Sequence, residues 1–191
     1  MYLNIPGYCQ KYLIEIQNGF NFNKDYFNVQ INRYPDKLEI TYKKPIKFHY
    51  GKIDKAKGTL KERLSREPLS TEDIAREMNS IYKKYTRSSI DKIIIPSNTY
   101  TYYINLLDSI YMSDKNLIIN EILNKDRIVL DGTTVNIRIS SGSVIYNNYY
   151  LHSPTLTSHP IAFRFIRETI NLYYIIKDKQ FLDNNRFKQE Y

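Results

Sequence analysis

Residues 27–42 read Phe27-Asn28-Val29-Gln30-Ile31-Asn32-Arg33-Tyr34-Pro35-Asp36-Lys37-Leu38-Glu39-Ile40-Thr41-Tyr42. Phe27, Val29 and Ile31 alternate with Asn28, Gln30 and Asn32, and Leu38, Ile40 and Tyr42 resume the alternation after four turn-forming residues. A period of two puts one set of side chains on one face of a strand, and Pro at the second turn position pre-sets φ, so the stretch predicts an antiparallel hairpin with one buried face. Toward the N-terminus, Tyr12, Ile14 and Ile16 alternate with Lys11, Glu15 and Gln17. Asn18-Gly19 follows before Phe20 and Phe22, and predicts a second tight turn because both positions accept positive φ. Toward the C-terminus Pro45 interrupts the pattern near Lys47, where the strand is expected to end or to lie at an edge.

The rest of the chain mixes both periods. Ser70-Thr71-Glu72-Asp73 forms a helix start with two acids suited to the helix dipole, and Ile74, Met78, Ile81, Tyr82 and Tyr85 follow at helical spacing to about Thr86. Ile93 to Ile95, closed by Pro96, predicts a short buried strand. Ser97 is expected to cap a helix with Tyr100, Ile104, Leu107, Ile110 and Tyr111 inward. Asp114 or Asn116 would start another, Leu117 to Lys125. From Arg127 to Leu151 the pattern predicts a three-stranded meander: Ile128 to Leu130, a turn at Asp131-Gly132, Val135, Ile137 and Ile139 alternating, a turn at Ser140 to Ser143, then Val144 and Tyr146. After a loose His152 to Ser158, Pro160 opens a last helix to about Lys177, with Phe163, Ile166, Ile170, Tyr173 and Tyr174 inward. Strands and helices come in clusters, so the expected class is α+β: antiparallel hairpins and a C-terminal three-stranded meander packed with about four helices. The expected organisation is a β-hairpin region over residues 1–50, a basic connecting arm over 51–69, an α+β core over 70–182 and a polar tail over 183–191.

At 191 residues, with 42% hydrophobic and 25% charged, the chain can bury a core and lacks the composition of disorder. Its 27 isoleucines and 19 tyrosines stand against four valines, three alanines and no tryptophan, a skew that A/T-rich coding produces. Apolar runs such as Ile93–Ile95 and Tyr173–Ile176 are far shorter than the roughly 18 to 20 residues of a bilayer span, and the first residues lack a secretory pattern, so neither a membrane partner nor secretion is expected. The single Cys9 forms no internal disulfide. His49, His152 and His159 lie outside any CxxC, HExxH or Asp-rich spacing, and are expected to be structural or surface residues, not metal ligands. Neither GxSxG nor a phosphate-cradling glycine loop occurs, and Ser140-Ser141-Gly142-Ser143 fits a turn better than a nucleophile. Acid pairs such as Glu72-Asp73 could ligate a metal for phosphodiester cleavage, but the place of these two in a first helical turn already explains them. No catalytic residue, metal or cofactor is therefore expected.

Two features point to binding. The formal charge is +8, and from Lys43 to Arg66 nine basic residues are opposed by Asp54 and Glu62 alone. Lys43, Lys44, Lys47, Lys52, Lys55, Lys57, Lys61 and Arg63 are candidate contacts for a polyanion, interleaved with Tyr42, Phe48 and Tyr50, whose rings would stack on bases. Lysine lacks the planar fork of arginine, so such binding would be blind to sequence. Tyrosine pairs an apolar face with a polar tip suited to protein contacts, and Tyr146, Asn147, Asn148, Tyr149 and Tyr150 are the candidate interface. The leading expectation is a non-enzymatic structural or assembly component of a phage-like virus particle, in the virion or host cytoplasm, associating as a homo-oligomer or with other virion proteins. The alternative is an accessory protein that binds DNA or RNA backbone without sequence preference.

Overall fold

The computed structural model describes residues 11–18, 26–119, 124 and 134–182. Among the described residues six strands form one antiparallel sheet: β1 (Tyr12–Asn18), β2 (Phe27–Arg33), β3 (Lys37–Phe48), β4 (Thr86–Pro96), β5 (Thr134–Ser141) and β6 (Val144–His152). Their order is β4-β3-β2-β1-β5-β6. The helices are α1 (Tyr50–Leu64), α2 (Thr71–Tyr85), α3 (Thr101–Met112), α4 (Lys115–Ile119) and α5 (Pro160–Lys177). The class is α+β, as the clustered periods imply.

The alternating residues sort onto two faces. Tyr12, Ile14, Ile16, Phe27, Val29, Ile31, Leu38, Ile40 and Tyr42 are all buried, and Ile137, Ile139, Tyr149 and Leu151 extend the same face across the sheet. Against it pack Tyr103, Ile104, Leu107 and Ile110 of α3, Ile118 of α4, and Ala162, Phe165, Ile166 and Ile170 of α5. The β2–β3 turn is closed by Tyr34 N–H donating to Lys37 C=O at 2.9 Å. The opposite face of the sheet carries Glu15, Gln30, Glu39, Lys92 and Arg138. Glu15 accepts from Gln30 Nε2 at 2.8 Å, and Glu39 lies 2.9 Å from Lys37 Nζ and 2.7 Å from Lys92 Nζ. The hydrogen bonds from Lys92 and Lys37 hold the Glu39 carboxyl below its usual range.

Several expectations change. β3 continues past Pro45 to Phe48, because β4 still pairs with it; its β2 partner stops at Lys43, and the ladder shifts register between Pro45 and Lys47. Proline thus disturbs the ladder where one neighbour remains and does not end the strand. β4 is eleven residues long, not a short strand, with only Ile93 and Ile95 buried. Ser97 does not cap α3: Tyr100 holds that position with φ of 51°, and Ser97 Oγ instead accepts from Arg33 Nη1 at 2.6 Å. The inner face of α3 is Tyr103, Ile104, Leu107 and Ile110, with Tyr100 exposed. In α5 it is turned by about one residue, burying Phe165 and Leu172 while Tyr174 is exposed. Residues 51–64, read as a connecting arm, are helical. The Asn18-Gly19 turn beyond Asn18, the first meander strand with Asp131-Gly132, Cys9, most of Leu117–Lys125 and the tail lie outside the described residues; the β5–β6 hairpin lies within them, turning at Gly142 with φ of +57°.

Candidate nucleic-acid interface

Because β3 and β4 both run beyond the end of β2, they form a two-stranded ribbon, and α1 and α2 close it as a helical hairpin. His49 N–H donates to Tyr85 C=O at 3.0 Å, joining the start of α1 to the end of α2. Ser70 caps α2 through its Oγ, which accepts from Asp73 N–H at 3.1 Å. Between the helices Ile53, Leu60 and Tyr82 are buried. Lys57 Nζ lies 4.9 Å from the centre of the Tyr82 ring, and Arg63 Nη2 lies 2.7 Å from Glu77 Oε1.

The charge is concentrated here. Residues 43–87 hold 13 of the 28 basic residues and 6 of the 20 acidic ones, which accounts for +7 of the net +8. Lys52, Lys55 and Arg63 line a groove of about 500 Å³ between the helices, floored by Ala56, Leu60, Ile81 and Tyr85. Lys61 is exposed on the same helix. At the base, Lys43 and Lys83 share a cleft of about 250 Å³ with Tyr26, Pro45, Thr86, Ser88 and Ile90. Lys47 stands directly opposite Arg87 in the β3–β4 ladder. Like charges facing across a ladder destabilise it, so an anion laid over the ribbon relieves a repulsion already present.

The eight basic residues chosen from sequence divide accordingly. Lys52, Lys55 and Arg63 are brought together around the groove, Lys47 and Lys61 are exposed nearby, and Lys57 is half-buried over Tyr82. Lys43 and Lys44, being consecutive in a strand, point to opposite faces. Sequence reading missed Lys83, Lys84 and Arg87. Their signal was the antiparallel return of α2, which carries its last turn back to the ribbon. The aromatic reading is corrected for Tyr42, which is 1% exposed and belongs to the core. Tyr50 is 53% exposed and stacks on Phe48 with centroids 5.6 Å apart, so it is the ring that can meet a base.

At the other edge of the sheet, Tyr146 and Tyr150 are exposed, Asn148 is exposed and Asn147 half-buried. Tyr149 is corrected: it is 1% exposed, on the core face opposite Ile137. Among the described residues no group of three His, Cys, Asp or Glu converges as a metal site, and no helix is long and apolar enough to cross a membrane. His159 is buried, with Nδ1 2.8 Å from Ser158 Oγ in the turn before α5. No protein-family model matches the chain, and neither does any curated protein or solved structure.

Proposed function

We propose that this protein binds nucleic-acid backbone without sequence preference, as a non-catalytic accessory protein, through the α1–α2 hairpin and the β3–β4 ribbon that carries it. The observation behind this reading is the placement of +7 of the net +8 charge on residues 43–87. Phosphate contacts by such a surface release condensed counterions, so the reading requires strong salt dependence. Among the described residues Lys47, Lys52, Lys55 and Lys61 have no ion-pair partner, and their ammonium groups are free to meet phosphates. The test is titration of mixed-sequence duplex and single-stranded DNA and RNA at several salt concentrations. Wild-type affinity is expected to fall steeply with salt, and the fourfold variant Lys47→Gln, Lys52→Gln, Lys55→Gln, Lys61→Gln to lose most of it. Unchanged affinity in that variant overturns the reading.

A second reading, an assembly component of a phage-like particle, is favoured by the exposure of Tyr146 and Tyr150, 55% and 65%, on the terminal strand of the sheet. The two readings are compatible, because β6 and the ribbon lie at opposite ends of the strand order: one end would face a genome and the other a protein neighbour.

A further inference from the structure

The two outer strands of the sheet differ in chemistry. β4 carries Arg87, Asp91, Lys92 and Pro96, the charges and proline with which proteins keep an edge from pairing. β6 reads Val-Ile-Tyr-Asn-Asn-Tyr-Tyr-Leu-His, nine residues without Lys, Arg, Asp, Glu or Pro. Among the described residues no strand pairs with its outer side. Its one irregularity is a bulge opposite Ile139/Ser140, where Tyr146 is the extra residue, so Asn147–His152 is left as a regular ladder. Beside the bulge, Val144, Ile145 and Tyr146 are more than half exposed, and Met112 at the end of α3 and Leu117 of α4 are 78% and 57% exposed. The Tyr146 ring meets Tyr111 of α3 edge-on at 6.3 Å, so strand edge and helix ends form one apolar surface.

We propose that β6 pairs antiparallel with β6 of a second copy of this chain, joining two six-stranded sheets into one of twelve strands about a two-fold axis. The charge distribution selects this occupant. Two copies of a +8 chain repel unless their cationic parts are kept apart, and β6 lies five strand spacings, roughly 24 Å, from β4 and the ribbon. Joined through β6, the two ribbons stand about eleven spacings apart, on the order of 50 Å, several times the ~8 Å screening length at physiological salt. Joining through β4 would bring them side by side. A two-fold β6 contact is also closed, since each copy spends the same edge, and it leaves only the charge-guarded β4 edges free. Alternation places Asn148 and Tyr150 on the polar face of the sheet and Tyr146, Met112 and Leu117 contribute the apolar flank.

The test is light scattering on the full chain, nuclease-treated and in high salt so that nucleic acid bridges nothing, which separates this inference from the binding reading above. The expected mass is twice the 22.8 kDa of one chain. Asn148→Lys with Tyr150→Lys is expected to halve it, Tyr150→Lys alone to raise the dimer dissociation constant at least tenfold, and Ile94→Lys at the other edge to leave it unchanged. Circular dichroism checks that each variant folds. The fourfold lysine variant of the hairpin is expected to remain dimeric even where it binds no nucleic acid. A monomer at all concentrations, as expected if a different protein covers β6, overturns the inference; so does an open-ended polymer, or a dimer indifferent to both β6 variants.

Discussion

Thr169 lies where α5 crosses the sheet, and two buried phenols end on it. Tyr42 O–H donates to Thr169 C=O at 2.8 Å, and Tyr103 Oη lies 3.0 Å from Thr169 Oγ1, which itself donates to Phe165 C=O at 2.8 Å. A buried hydroxyl without a partner costs about 1–3 kcal/mol, and these bonds spare Tyr42 and Tyr103 that penalty, whereas Tyr149 Oη is buried with no hydrogen-bond partner among the described residues. Burial raises the pKa of Tyr42 and Tyr103 above the ordinary phenol value, and does the same to Tyr12, where Asp108 adds to it, and to Tyr26, Tyr149 and Tyr173. The folded state therefore keeps protons that the unfolded chain releases from pH ~10 upward, so the tyrosine contribution to stability is constant below that pH and falls as pH rises beyond it. Denaturant midpoints are expected to drop steeply above pH ~10, with part of the phenolate absorbance appearing only as the fold is lost. All tyrosines titrating in one wave on an intact fold would contradict this burial. Tyr42 was legible as core from its parity with Leu38 and Ile40. Tyr149 was not, because the bulge at Tyr146 switches the parity of β6 between Val144 and Leu151, and no residue in the sequence announces a bulge there.

Among the elements, the central strands and α2 were legible, whereas the full length of β4 and the helix α1 were not. β1, β2 and β5 each bury one face of a period-two pattern, which sequence displays directly. α2 was legible through its Ser70 cap and its apolar spacing. α1 carries two glycines, no capping side chain and buried residues only at Ile53 and Leu60, so its helicity depends on α2 lying antiparallel beside it, a contact no local pattern encodes. A helix pair held by so few buried side chains opens more cheaply than the sheet with α3, α4 and α5 packed on its face. Amide exchange is accordingly expected to be faster by orders of magnitude in Tyr50–Tyr85 than in β1, β2 and β5. Ile53→Ala, costing about 2–5 kcal/mol where it acts, should raise exchange throughout the hairpin while leaving protection in the sheet nearly unchanged. Equal protection in hairpin and sheet, or a loss shared by both in the variant, would mean that the two form one cooperative unit.

For the whole molecule the question is whether the net charge or its position governs binding. Outside residues 43–87 the chain holds 15 basic and 14 acidic residues, close to neutral, and several of these cations are already engaged: Lys37 and Lys92 with Glu39, Lys179 with Asp91. Removing four positive charges from the hairpin and ribbon, or four from Lys37, Lys92, Lys177 and Lys179, changes the formal charge by the same amount, +8 to +4. If affinity followed net charge, the two fourfold Gln variants would weaken binding alike. Contact at the hairpin predicts otherwise: each phosphate contact contributes about 0.9 to the slope of log affinity against log salt on duplex DNA, so the hairpin variant should lose up to ~3–4 units of slope and the other less than ~1. Glu39 is half-buried between Lys37 and Lys92, so circular dichroism on both variants checks that the comparison stays on binding. Equal losses of slope would reduce the hairpin to a solvated part of a uniformly cationic surface, whereas a loss confined to the hairpin variant fixes the binding face at the end of the sheet farthest from β6.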